Sequence, residues 1–133
     1  MKSKTLKNKT SFAETENFLE LVKKTLDEDK AEDVVIINLE GKTDIADFML
    51  IASGSSRRHV GSMADHIQRK LKTNGLKDIK VEGLDYCDWV LIDGGSIIIH
   101  LFRPDVRVFY NLEKMWERSL DQITPVSPES ALA

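Results

Sequence analysis

The stretch from Asp85 to Phe102 constrains the fold of this chain more than any other part of its sequence. Two runs rich in β-branched and aromatic residues flank the pair Gly94-Gly95, and a two-residue glycine loop suits the positive φ angles of type I′ and II′ turns. The stretch therefore predicts a β-hairpin with this pair as its loop. In that register, Trp89 lies opposite His100.

The two faces of this hairpin differ in chemistry, because side chains alternate between the faces of a strand. One face is wholly aliphatic and predicts the core side: Val90, Ile92, Ile97, Ile99 and Leu101. The other mixes aromatic, aliphatic and hydrogen-bonding groups: Trp89, Leu91, Asp93, Ser96, Ile98, His100 and Phe102. A mixed face either lies under a helix or meets a partner, and general packing considerations favour the helix.

Patterns along the rest of the chain predict a mixed α/β fold, with a sheet of about five strands flanked by helices. The sheet should be parallel where the second helix crosses over and antiparallel at the hairpin. The continuous β-branched run at 34–39 predicts a strand covered on both faces. The other predicted elements are a helix over about 12–29 with a capping box at Ser11 and Glu14, a strand over 45–52, a helix between Ser55-Ser56 and Asn74, a strand over 78–83 near an edge, and a helix from Pro104 that includes Leu112, Met115 and Trp116.

Composition narrows the class of protein. The chain has 133 residues, of which 41% are hydrophobic and 31% charged, as in an ordinary globular domain. Its net charge of -3 gives no support to DNA or RNA binding driven by bulk electrostatics, because phosphate neutralisation needs a concentrated basic surface. A single cysteine fits a reducing compartment such as the cytoplasm, and no apolar run is long enough for a membrane span. We predict one domain over 12–120, between a flexible basic tail at 1–11 and a flexible tail at 121–133.

The sequence offers no catalytic constellation. Metal-dependent nucleotidyl or phosphoryl transfer commonly uses two acids that alternate on one strand. Asp44 and Asp47 are three residues apart, as are Asp85 and Asp88, and this spacing on a strand places the two side chains on opposite faces. None of the three histidines adjoins a nucleophile motif. We therefore predict no catalytic residue and no metal site.

The turn at 53–56 joins a predicted strand to a predicted helix, a geometry that can hold an anion. Its single glycine is a weak signal, because the rest of a P-loop or dinucleotide motif is absent. In the favoured interpretation, Ser55 or Ser56 caps the helix while Arg58 and His59 make local pairs. In the other, the turn binds a phosphate. Asp47, near the start of the preceding strand, needs a partner there, because an unpaired buried carboxylate is costly.

Three blocks carry a family resemblance: DFMLIASGSSRRHV at 47–60, DWVLID at 88–93 with a Glu-Gly pair shortly before it, and HLFRPDVRVFYNLEKMW at 100–116. In this order and at this spacing, they resemble the ribosomal silencing factor, or Iojap-like, family over about residues 15–118. The positions that match the family's motifs are Asp47, Ser53, Gly54, Ser56, Arg58, His59, Trp89, Val90, Leu91, Asp93, His100, Phe102, Tyr110 and Trp116.

The resemblance implies a nucleotidyltransferase-like fold without catalytic acids, no cofactor, and a homodimer when free. It also implies binding to the large ribosomal subunit through that subunit's fourteenth protein. The small subunit then cannot join, and translation is repressed when nutrients are short. Given such a function, the Trp89 and Leu91 end of the mixed face is better interpreted as partner surface, whereas Phe102 packs under the last helix. We predict partner contacts by these side chains: Trp89, Leu91, Ile98, His100, Arg103 and Arg107.

Two other functions stay open. The first is a nucleotide-binding or nucleotidyltransferase-type enzyme that uses the turn at 53–56. The second is a module that attaches to ribosomal RNA through the lysine-rich start of the chain, which the acidic overall balance disfavours.

Overall fold

The fold is a mixed five-stranded sheet with helices, seen in a computed structural model that describes residues 11–110, with only the backbone at 108–110. The strand order is β1-β2-β5-β4-β3, with β2 and β5 parallel and the other neighbours antiparallel. This architecture confirms the predicted fold class. The elements are α1 (Phe12–Glu28), β1 (Glu32–Asn38), β2 (Phe48–Ser53), α2 (Arg57–Thr73), β3 (Lys80–Glu82), β4 (Trp89–Asp93), β5 (Ile97–Phe102) and α3 (Pro104–Tyr110).

Buried side chains form a cluster on each face of the sheet. The helix-side core joins α1 and α2 to one face and includes all five aliphatic hairpin residues assigned to the core from the sequence. The opposite-face cluster contains Ile37, Leu39, Ala46, Met49, Ile51, Ile98 and Phe102, against which Val35, Trp89, Leu91 and Val106 pack. Val106 belongs to α3, so the last helix packs against the cluster that contains Phe102, as expected.

Both long helices begin at the predicted caps. The Ser11 hydroxyl accepts from the backbone N–H of Glu14 at 3.1 Å, while the Glu14 carboxylate accepts from the Ser11 N–H at 3.0 Å, which completes the capping box. At the start of α2, the Ser56 hydroxyl accepts from the His59 N–H at 3.1 Å. Asn74 caps the end of α2, and Gly75 follows with φ 101°.

The first strand departs from its prediction. β1 is an edge strand that pairs with β2 alone within residues 11–110, and Val34 and Ile36 are 39% and 38% exposed. The expectation that both faces are covered was wrong, because α1 and α2 pack chiefly over β4 and β5 and leave β1 outside the helix layer. A β-branched run favours the extended backbone even where the strand is not buried.

The hairpin register also differs from its prediction. The loop is Gly95-Ser96, and Trp89 lies opposite Phe102, two residues from its predicted partner His100. The Asp93 carboxylate accepts from the Gly95 N–H at 2.9 Å, and the Ser96 carbonyl accepts from the Asp47 N–H at 2.8 Å. These bonds draw Ser96 into the turn and toward β2. A shift of two residues keeps every side chain on its predicted face.

Smaller differences lie at the ends of elements. β2 begins at Phe48, later than predicted, so half-buried Asp47 stands just outside the strand. Its carbonyl accepts from the Leu39 N–H at 2.8 Å. β3 is a short edge strand, as predicted. The predicted part of the last helix beyond Tyr110, and the two predicted tails except for Ser11, lie outside the described residues.

Glycine at position 83 should contribute strongly to the stability of the fold. Gly83 has φ 93°, and a Cβ there would lie 2.2 Å from the Trp89 carbonyl oxygen. Gly41 has a similar φ of 82° but no atom within 4 Å of such a Cβ, so Gly41→Ala isolates the backbone strain. We expect urea denaturation to show a loss of about 1 kcal/mol for Gly41→Ala and at least about 3 kcal/mol for Gly83→Ala. Equal losses would contradict the proposed role of the close approach.

Candidate partner-binding site

Three aromatic side chains stack beside one another on the face of the sheet that lies away from α1 and α2. The Trp89 and Phe102 rings lie 5.0 Å apart at 28°, and the His100 and Phe102 rings lie 6.0 Å apart at 12°. Alternation along β5 puts His100 and Phe102 on the same face, and the pairing of β4 with β5 brings Trp89 opposite Phe102. Phe102 is fully buried whereas Trp89 is half-buried, so Trp89 is the solvent-accessible end of the stack.

A hydrogen bond fixes the tryptophan in this stack. The indole Nε1–H of Trp89 donates to Nδ1 of His100 at 2.9 Å. Nδ1 must therefore be unprotonated, which leaves the proton of the neutral ring on Nε2. Burial lowers the pKa of His100 from 6.5 to about 4. The imidazole thus stays neutral near pH 7 and remains an acceptor for the indole.

The six predicted partner contacts do not share one environment. Trp89 and Leu91 are half-buried on the same face of β4, while Ile98 and His100 on β5 are 8% and 7% exposed. Arg103 is partly exposed just after β5. Their contact with a partner stays a prediction, and the more accessible members of the set are Trp89, Leu91 and Arg103.

Arg107, one of the predicted partner contacts, occupies a buried position. It is 7% exposed, and its Nη1 donates to the Ser53 hydroxyl at 2.8 Å. Ser53 is itself 1% exposed at the end of β2. This buried hydrogen bond joins α3 to the central strands, so Arg107 has a structural role whatever else it contacts.

An ionic bridge beside Trp89 was not predicted from the sequence. One carboxylate oxygen of Asp88 accepts from Nε of Arg57 and from Nε of Arg103, each at 2.8 Å. The hydrogen bond from Arg57, followed by that from Arg103, holds the pKa of Asp88 below its ordinary value. Three separate segments supply these residues, and each carries only an ordinary surface charge in the sequence. The one available signal is the position of Asp88 and Arg103 at the two open ends of the hairpin.

The turn at 53–56 uses its polar groups internally. The Gly54 N–H donates to the Phe102 carbonyl at 2.9 Å, and the Ser55 N–H donates to Nδ1 of His59 at 2.9 Å. The Ser56 hydroxyl caps α2. A phosphate at this turn would have to displace these bonds, so the turn gives no support to the nucleotide-binding alternative.

The described part of the chain holds neither a metal-binding cluster nor a membrane-spanning helix. Between residues 11 and 110, no three His, Cys, Asp or Glu side chains converge closely enough to hold a metal ion. In the same part of the chain, no helix has the length and hydropathy that a membrane crossing requires.

Comparison with known proteins identifies the family. The family model described as ribosomal silencing factor during starvation matches residues 12–132. A ribosomal silencing factor RsfS from Zymomonas mobilis is 50% identical over 91% of this chain and 90% of its own length. The chain belongs to the ribosomal silencing factor family.

Solved structures agree with this membership in the family. A crystal structure of a protein from Chromobacterium violaceum superposes with a TM-score of 0.74 at 29% identity and covers 86% of this chain and 98% of its own. A crystal structure from Bacillus halodurans superposes with a TM-score of 0.69 at 37% identity and covers 76% of this chain and 94% of its own. The family resemblance predicted from the three sequence blocks is confirmed.

The residues that match the family motifs divide between structural and surface positions. A Cβ at Gly54 would lie 2.8 Å from the Met63 side chain, so the turn there approaches α2 closely. Nε2 of His59 contacts the Asp29 carbonyl at 2.7 Å and ties α2 to the end of α1. Arg58 is exposed. The side chains of Tyr110 and Trp116 lie outside the described part of the chain.

Protonation of His100 should destabilise the fold. Between pH 6.5 and about 4 the unfolded chain binds a proton at His100 that the folded chain does not, so stability falls as pH falls through this window. The full loss is about 3 kcal/mol. His100→Asn keeps an acceptor near the Nδ1 position but cannot be protonated. Urea denaturation at pH 7, 5.5 and 4 should show a smaller loss in this variant by about that amount. Parallel pH dependences in the two proteins would contradict this assignment.

Proposed function

We propose that this protein binds the large ribosomal subunit through the subunit's fourteenth protein and prevents the small subunit from joining. Translation is thereby repressed under nutrient limitation, and the protein acts in the cytoplasm without a cofactor. The proposal rests on one observation: the protein belongs to the ribosomal silencing factor family over most of its length. The name of that family refers to the ribosome and to silencing, and the partner surface is our inference.

The geometry of the site suits binding rather than chemistry. Trp89 is held by stacking on Phe102 and by its hydrogen bond to His100. The ionic bridge of Asp88 lies next to Trp89. A rigid aromatic anchor with a polar rim is the usual anatomy of an interface hot spot. We infer that Trp89 and Leu91 are its centre.

The proposed mechanism is steric. A protein of 15.1 kDa on the subunit-joining surface occupies volume that the small subunit must enter. No bond is made or broken, so repression depends only on affinity and occupancy. The free protein is proposed to form a homodimer.

Sedimentation tests the function itself. The protein is mixed with isolated large subunits and then with small subunits, and the fractions are analysed for whole ribosomes. We expect the protein to co-sediment with large subunits and to lower the yield of whole ribosomes in proportion to its occupancy. Failure to co-sediment, or whole ribosomes that carry the bound protein, would refute the proposal.

Removal of the anchor tests the site. We expect Trp89→Ala to weaken large-subunit binding by about 2 kcal/mol, or about thirtyfold in Kd, because a buried aromatic contact is lost. Phe12→Ala is the matched control. Phe12 is also a partly exposed aromatic residue, and its ring lies 5.7 Å from that of Phe48 on the helix side of the sheet. Unchanged binding by a folded Trp89→Ala protein would remove Trp89 from the interface.

A further inference from the structure

The Asp88 bridge joins three segments of the chain at one carboxylate. Asp88 directly precedes β4, Arg103 lies between β5 and α3, and Arg57 is the first residue of α2. The backbone is joined there as well, because the Arg103 N–H donates to the Asp88 carbonyl at 3.0 Å. The bridge therefore closes the open end of the hairpin and attaches it to α2.

The position of Arg57 is unfavourable for α2 considered alone. A positive charge at the first position of a helix opposes the helix dipole, and no acidic residue lies in the first turn of α2. Asp88 supplies the missing negative charge from another element. Arg57 donates to Asp88 through Nε, the inner donor of its guanidinium.

The tryptophan is attached directly to this bridge. Trp89 follows Asp88 in the chain and stacks on Phe102, which precedes Arg103. The two residues of the stacked pair are thus each covalently next to a member of the ion pair. Any rotation of the backbone at this end of the hairpin would move the indole relative to the surface around it.

We propose that Asp88 is a positioning residue for partner binding, which holds Trp89 in its binding orientation by fixing Arg57 and Arg103 with a single carboxylate oxygen. This inference rests on the proposed function, in which Trp89 is the anchor. It assigns to Asp88 an effect on affinity that passes through the tryptophan and requires no contact between Asp88 and the ribosome.

A double-mutant cycle separates positioning from a structural role. Asp88→Asn keeps the shape of the side chain and removes its charge. We expect this change to weaken large-subunit binding about tenfold in the wild-type background, but less than about twofold in the Trp89→Ala background. A structural role alone would give equal losses in both backgrounds, and that result, or no loss at all, would overturn the proposal. Trp89→Leu, which keeps an apolar side chain without the indole, provides a second background if Trp89→Ala proves poorly folded.

The matched control is Asp65→Asn, which breaks the exposed pair in which Nε of Arg69 and the Asp65 carboxylate are 3.0 Å apart on α2. Exposed pairs contribute little to stability, so this variant should bind as the wild type does. It removes the same charge without touching the hairpin.

A spectroscopic measurement tests positioning in the free protein. The chain has two tryptophans, so Trp116→Phe leaves Trp89 as the sole tryptophan, which can be excited apart from the tyrosines. In this background we expect Asp88→Asn to raise the acrylamide quenching constant of Trp89 by about twofold, because the indole spends more time away from the stack. Unchanged quenching would overturn the proposal. This result stands even if the protein fails to bind large subunits, in which case the proposed function fails separately.

Discussion

The parallel pairing of β2 with β5 is the constraint on which the rest of the structure depends. Every residue of both strands is buried, so both faces of this pair must be covered. The two long helices cover one face, and the opposite-face cluster forms on the other. Two polar side chains interrupt this apolar centre, and each needs a partner. Ser53 is bonded to Arg107, and His100 is bonded to Trp89, so the polar groups of the central strands determine where α3 and the tryptophan lie.

Local patterns predicted the helices and the two faces of the hairpin well. A capping box and an apolar stripe at helical spacing are short-range signals, and they specify a helix and its start. Alternation along a strand likewise specifies which residues share a face. These local signals do not predict features that contacts between distant parts of the chain determine. The helix-side residues of β1 are exposed because the helices lie over other strands. The hairpin loop differs from its prediction because the Ser96 carbonyl accepts from the Asp47 N–H, far away in the sequence.

The candidate site was predicted in part for the same reason. The sequence identified the mixed face and its tryptophan, and the structure adds how the members differ in burial. Leu91 is accessible, whereas Ile98, His100 and Arg107 are almost fully buried. The ionic bridge of Asp88 escaped prediction, because no local pattern brings together an aspartate and two arginines from three distant segments. Their contribution to binding remains our proposal.

The register of the hairpin determines which of its side chains face the helices. The observed register differs from the predicted one by two residues, so every cross-strand partner differs, but Ile97, Ile99 and Leu101 face the helices in both. A register shifted by one residue would turn those three side chains toward the aromatic stack and would turn His100 toward the helix-side core. Which side chains face the helices therefore depends on whether a slip is odd or even. Loops that differ by an even number of residues preserve the surface, and those that differ by an odd number invert it unless a bulge compensates.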